Sequence, residues 1–187
     1  MPTTFAPLPA SSCLLIIDVQ ERFTGVIPAI ATGGPVAKNC RILLEAARLL
    51  AIPALISEQV PDKLGPTIAE LIAVQGDAPR FSKSHFSAYD EPAIRHHLDG
   101  LHRSDTVLAG VETHVCVLAT AADLLAAGRR VIVAGDAVAS RNPEHRDQAL
   151  IALRDLGALV VPVESIVFRW QRQAGVGAFK ALSQLVK

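Results

Sequence analysis

The run Cys13-Leu14-Leu15-Ile16-Ile17 stops abruptly at Asp18, and it constrains this chain more than any other stretch. A strand with one wet face alternates apolar and polar residues, whereas an unbroken aliphatic run suits a strand buried on both faces of a helix-covered parallel sheet. Five further short stretches are predicted strands, the second of them only brief: Ala54-Leu55-Ile56, Arg80-Phe81-Ser82, Thr106-Val107-Leu108-Ala109, Arg130-Val131-Ile132-Val133-Ala134 and Ala158-Leu159-Val160-Val161. The fourth is expected to end at Gly110 and the fifth at Gly135-Asp136.

Helical spacing fills the gaps. Ile42, Leu43, Ala46, Ala47 and Leu50 mark a helix over 36–51, and a short one is expected around 67–73. Pro92 opens another as its first-turn proline, and 117–127 reads as an Ala/Leu helix ended by Gly128. Asn142 caps a helix begun by Pro143, with Leu150, Leu153 and Leu156 expected inward. The tail from Glu164 should hold one or two helices broken at Gly175 and Gly177. Residues 1–12 form a lead-in, and 58–66 is expected to be a loop too rich in Pro and Gly for a regular element.

This alternation predicts an α/β fold: three layers, Rossmann-like, a mainly parallel six-stranded sheet with helices on both faces. A chain of 187 residues fits a single domain spanning 1–187. Lys plus Arg and Asp plus Glu each number 18, so no basic field attracts nucleic acid and no charged patch suggests a membrane. No apolar stretch approaches the ~20 residues of a membrane helix, and no signal-peptide pattern opens the chain. The cysteines, Cys13, Cys40 and Cys116, are widely spaced without a C-x-x-C pair, which fits a reducing cytoplasm and argues against a disulfide framework or zinc site. Half the residues are hydrophobic, a surplus that favours a homo-oligomer.

In open parallel sheets ligands gather beyond the carboxyl ends of the strands. Asp18, Lys83 and the segment leading to Cys116 each follow a predicted strand. Cys116 falls near a helix N-terminus, where the dipole is expected to lower its pKa. Taken singly, a buried cysteine usually only packs, an aspartate caps and a lysine is solvated. Together they offer a nucleophile, a carboxylate able to take its proton and a cation to stabilise both anions. No G-x-G-x-x-G follows the first strand, which disfavours a nucleotide- or flavin-binding reading, and no cofactor is expected.

The blocks Leu14-Leu15-Ile16-Ile17-Asp18-Val19-Gln20, Lys83-Ser84-His85-Phe86-Ser87 and Gly110-Val111-Glu112-Thr113-His114-Val115-Cys116-Val117 resemble the isochorismatase-like cysteine hydrolases. That family includes nicotinamidases and N-carbamoylsarcosine amidases. The resemblance implies the strand order 3-2-1-4-5-6, with Asp18 as general base, Lys83 as stabilising cation and Cys116 as nucleophile. It further implies a cis peptide between Val111 and Glu112, with the Glu112 and Cys116 amides forming an oxyanion hole. Nicotinamidases carry a metal-binding Asp-x-His after the second strand; here Glu58-Gln59-Val60-Pro61-Asp62 stands there, and residues 24–84 hold no histidine. No metal is therefore expected. Isochorismatases that cleave a vinyl ether generally lack the cysteine, so Cys116 points to hydrolysis of a small amide-like substrate through a thioester, within the isochorismatase-domain subgroup.

Gln20, Phe23, Phe86 and His114 are candidate substrate contacts, Gln20 alternatively orienting Asp18. His85 and Tyr89 would line the cleft or meet a neighbouring subunit. His96 and His97 read as surface, Arg141 and His145 as solvated, and Cys13 and Cys40 as packing. The rival reading is a binding or scaffold protein that keeps the hydrolase fold while catalysis is incidental.

Overall fold

The computed structural model describes residues 7–187, so the first six residues of the lead-in lie outside the described residues. Six parallel strands form one sheet in the order β3-β2-β1-β4-β5-β6. In chain order the elements are β1 (Ser12–Ile17), α1 (Pro35–Leu49), β2 (Ala54–Gln59), α2 (Pro61–Leu64), α3 (Ala69–Ile72), β3 (Arg80–Lys83) and α4 (Pro92–Gly100). They continue with β4 (Asp105–Val111), α5 (Leu118–Ala126), β5 (Arg130–Ala139), α6 (Pro143–Asp155), β6 (Leu159–Val161), α7 (Val163–Gln171) and α8 (Phe179–Leu185).

The unbroken apolar run of β1 has its cause in the layering. Leu14 and Ile16 pack into one core with Leu43 of α1, Val167 of α7 and Leu182 of α8, while Cys13, Leu15 and Ile17 pack into the other with Leu98, Leu124 and Leu153 of α4, α5 and α6. All six β1 residues are buried because β2 and β4 flank the strand and helices cover both faces. Burying a Leu or Ile side chain contributes about 1.5–3 kcal/mol relative to exposure, so substituting a charged residue on either face of β1 disrupts a core.

Several boundaries differ from expectation. β4 does not end at Gly110 but runs through it to Val111, because Gly110 is where β4 closes on β1: its φ is +114°, and a Cβ there would lie 2.0 Å from the Ile17 carbonyl oxygen. β5 likewise continues past Gly135-Asp136 to Ala139, its pairing with β4 shifting register between Leu108 and Gly110. The 58–66 segment is more regular than its Pro and Gly content suggests: β2 extends to Gln59, and Pro61–Leu64 makes one helical turn behind Val60, a β-branched residue held at φ 37°. Asn142 caps α6, its side-chain oxygen accepting from the Glu144 amide at 2.9 Å. Leu150 and Leu153 of that helix are buried, but Leu156 is exposed because it follows the last turn, where the chain leaves the sheet.

Candidate active site

Strand register assembles the site. Ile17 pairs with Ser57 of β2 and with Gly110 of β4, so Asp18 emerges between those two strands; Gln59 at the end of β2 pairs with Lys83 at the end of β3. Asp18 has φ 53°, a left-handed conformation that aspartate tolerates better than most residues, and the turn ends the strand at once. Its carboxylate accepts a hydrogen bond from Ser57 Oγ at 2.7 Å and pairs with Lys83 Nζ at 2.7 Å, both side chains essentially inaccessible to solvent. The Lys83 ammonium also donates to Gln59 Oε1 at 2.5 Å, the His85 carbonyl at 3.1 Å and the Phe86 carbonyl at 3.2 Å.

Beyond β4 the Val111–Glu112 peptide is cis, and Thr113–Val117 winds as a π-helical turn before α5 begins. Cys116 sits in that turn, 7 % exposed, and the charges of both Asp18 and Lys83 act on its thiol. The three side chains sharing this space therefore come from the ends of β1 and β3 and from the turn after β4. Thr120, fully buried on α5, links two of these segments: its hydroxyl donates to the Cys116 carbonyl at 2.6 Å and accepts from the Ala88 amide at 2.8 Å.

The acid–base balance differs from what the helix position alone suggested. Burial, reinforced by the neighbouring Asp18 charge, pushes the Cys116 thiol up to about 12, and Lys83 offsets only part of this. Burial also raises Asp18 above the usual carboxylate range, against the opposing pull of Lys83, Ser57 and Cys116. The resting cysteine is thus a neutral thiol beside a proton acceptor. Desolvation outweighs the dipole here because few solvent molecules reach the sulfur.

The remaining sequence candidates divide. Gln20 is fully buried, and its side chain contacts neither Asp18 nor an open space: Nε2 donates to the Gln59 and Gly65 carbonyls at 3.1 and 2.7 Å, and Oε1 accepts from the Gln59 amide at 2.8 Å. Phe23 lies in a 3-10 turn, Glu21–Gly25, and packs partly buried against the α1-side core. Phe86 brings its carbonyl to Lys83, but its ring is 64 % exposed. His114 points to the β5–α6 side of the turn, its Nδ1 3.0 Å from Ser140 Oγ and its ring against His145; with Arg141 and Asn142 the two rings line an open cleft of about 280 Å³.

His85 faces Glu91 at 3.2 Å, and the Tyr89 hydroxyl donates to Asp99 at 2.9 Å. His96 is exposed, and His97 packs its ring against Phe81. Cys13 and Cys40 are buried free thiols, as packing residues should be. Arg141 is not merely solvated. Its amide and guanidinium both bind the Glu112 carboxylate, at 2.9 and 3.0 Å, bracing the residue that follows the cis bond. Glu58, where a metal ligand would stand in a nicotinamidase, accepts from the Thr67 amide and hydroxyl at 2.8 and 2.7 Å and from Arg80 at 3.4 Å. Ser57, Gln59 and Thr120 went unremarked as site residues in the sequence; for Ser57 and Gln59 the signal was strand register, which places them beside Asp18 and Lys83.

The family model for the isochorismatase domain matches residues 12–165. The chain belongs to the isochorismatase family. Isochorismatase domain-containing protein 2A of Mus musculus is 40 % identical over 181 residues, covering 96 % of this chain and 84 % of its own. The secreted isochorismatase effector Isc1 of Phytophthora sojae is 38 % identical over 184 residues, covering 96 % and 86 %. Among solved structures, that of the MAR1 ribonuclease of Caenorhabditis elegans superposes with a TM-score of 0.88 at 32 % identity, over 97 % of this chain and 92 % of that one. The sheet order and the helical layers are those of an isochorismatase-like hydrolase fold. No helix among the described residues is long and apolar enough to cross a membrane.

Proposed function

We propose that this isochorismatase-family chain is a cysteine-dependent hydrolase of a small amide-like substrate, acting through a thioester. The observation that carries the reading is the solvent-excluded Asp18–Lys83 pair at 2.7 Å with the Cys116 thiol within reach of both. A buried ion pair with no chemical task is often no better than apolar packing, so its placement beside a nucleophile supports a catalytic use.

In the proposed sequence Asp18 takes the proton of Cys116 as the sulfur attacks the substrate carbonyl, with Lys83 stabilising the negative charge. The oxyanion would rest on the Glu112 and Cys116 amides; removing one such donor typically costs about 10²- to 10³-fold. Asp18 then gives its proton to the departing nitrogen, leaving a thioester. In the second half Asp18 takes a proton from water, the hydroxide displaces the thiolate from the acyl carbon, and the proton returns to sulfur.

Asp18 must be ionised to accept the proton. Because burial raises its pKa, kcat/KM should fall on acidification at a pH clearly above ~4, the ordinary carboxylate value. A profile flat down to that value would remove Asp18 as base. No loss should appear near neutrality from thiol ionisation, since Cys116 lies near 12.

Intact-protein mass spectrometry during turnover of a panel of small amides should reveal an acyl adduct that maps to Cys116. Absence of any adduct, together with cleavage of an RNA oligonucleotide included because of the ribonuclease relative, would displace the amide reading. The zero net charge favours a small molecule over nucleic acid. A cytoplasmic setting and assembly into a homo-oligomer belong to the same proposal: the cysteines are all free, and Phe86, Ile151 and Leu156 expose large apolar side chains.

A further inference from the structure

The Lys83 ammonium has three N–H bonds but four acceptors: the Asp18 carboxylate, Gln59 Oε1 and the carbonyls of His85 and Phe86. The count changes during the proposed first step. When the S–H bond of Cys116 breaks, an O–H bond forms on Asp18 and the electron pair stays on sulfur; Asp18 becomes neutral and its hold on Lys83 weakens. Three carbonyl acceptors and the new thiolate then share the three N–H bonds, and the shortest of the carbonyl contacts is to Gln59, at 2.5 Å.

Gln59 is itself fixed from both sides. The Gln20 carboxamide accepts from its amide and donates to its carbonyl, and the Gln59 Nε2 donates to the Ser84 carbonyl at 2.9 Å. The next residue, Val60, takes the left-handed conformation that β-branched residues avoid, and its amide donates to the Lys83 carbonyl at 3.0 Å. A turn this constrained aims the Gln59 side chain at the ammonium. We infer that Gln59, clamped by Gln20, is a positioning residue that holds the Lys83 charge at the sulfur while Asp18 carries the proton.

This rests on Cys116 being the nucleophile. The charged groups acting on the thiol are Asp18 and Lys83. The nearby His85 ring faces Glu91, Glu58 is engaged by Thr67 and Arg80, and Glu112 by Arg141. Without the Gln59 acceptor the ammonium drifts from the sulfur and the thiolate forms less readily. A glutamate there draws Lys83 away from Asp18 and adds a like charge, moving thiolate formation in the same direction.

The test needs no substrate. The rate of Cys116 alkylation by iodoacetamide is followed against pH by intact mass, with Cys116→Ala protein as the blank, in wild type, Gln59→Ala, Gln59→Glu and Gln20→Ala. Both Gln59 variants should move the rate profile up by about one pH unit, which is tenfold slower labelling at a fixed pH on the rising limb. Gln20→Ala should shift it less, in the same direction. Gln59→Glu keeps the size and an acceptor oxygen, so it carries the test if Gln59→Ala fails to fold. Folded variants that share the wild-type profile overturn the inference alone. A wild type whose Cys116 never alkylates overturns the nucleophile assignment and the inference with it.

Discussion

Replacing Cys116 with alanine should abolish turnover, lowering kcat by about 10⁴-fold or more, the scale on which loss of a covalent nucleophile is felt in other hydrolases. The protein should stay folded, because the change removes one sulfur atom from a small buried space and leaves the Asp18–Lys83 pair and the Ser57 hydrogen bond in place. The more discriminating variant is Cys116→Ser, which keeps a hydrogen-bonding group beside Asp18 but supplies a far poorer nucleophile. If sulfur attacks the carbonyl, serine should be nearly as inactive as alanine. Turnover by the serine variant within tenfold of wild type would mean that water attacks and the cysteine only orients it. Far-UV circular dichroism and a urea midpoint close to wild type secure the comparison.

Gly110→Ala should have the largest effect on stability. The added Cβ would stand 2.0 Å from the Ile17 carbonyl oxygen and 2.7 Å from its nitrogen, both backbone atoms of the central strand that cannot swing aside, at a φ of +114° that an L side chain resists. Overpacking and backbone strain together should cost roughly 3–5 kcal/mol, a large part of the ~5–15 kcal/mol by which a domain is stable. A urea denaturation series, or failure to accumulate soluble protein, measures it. Gly100→Ala is the control: no atom lies within 4 Å of a Cβ there, and the residue ends α4. Equal stability of the two variants would mean that β4 approaches β1 less closely than described.

The two positions also mark how far the sequence could be read. Asp18 and the Cys116 segment stood out because each follows an apolar run of the kind that announces a strand buried on both faces, and Lys83 because it ends the brief stretch Arg80-Phe81-Ser82. Gly110 was read as a stop because glycine usually punctuates; its actual role is a close backbone approach that depends on which strand lies alongside. Gln20 looked like a partner for Asp18 by proximity in sequence, but Asp18 itself is left-handed and the Gln20 carboxamide turns to the end of β2. Gln59 carried no signal of its own, since only the pairing of β2 with β3 sets it opposite Lys83. The acidity of Cys116 was misjudged for a similar reason. A helix dipole is visible in one segment, whereas burial is the sum of everything packed around it.

Through its hydroxyl, Thr120 ties the segment after β3 to the backbone of Cys116, bonding the Ala88 amide and the Cys116 carbonyl at once. Phe86 stands on that same segment, two residues before Ala88, with its ring in solvent. A contact on that ring, from a substrate or a neighbouring subunit, would fall two residues from the amide that Thr120 ties to the Cys116 backbone.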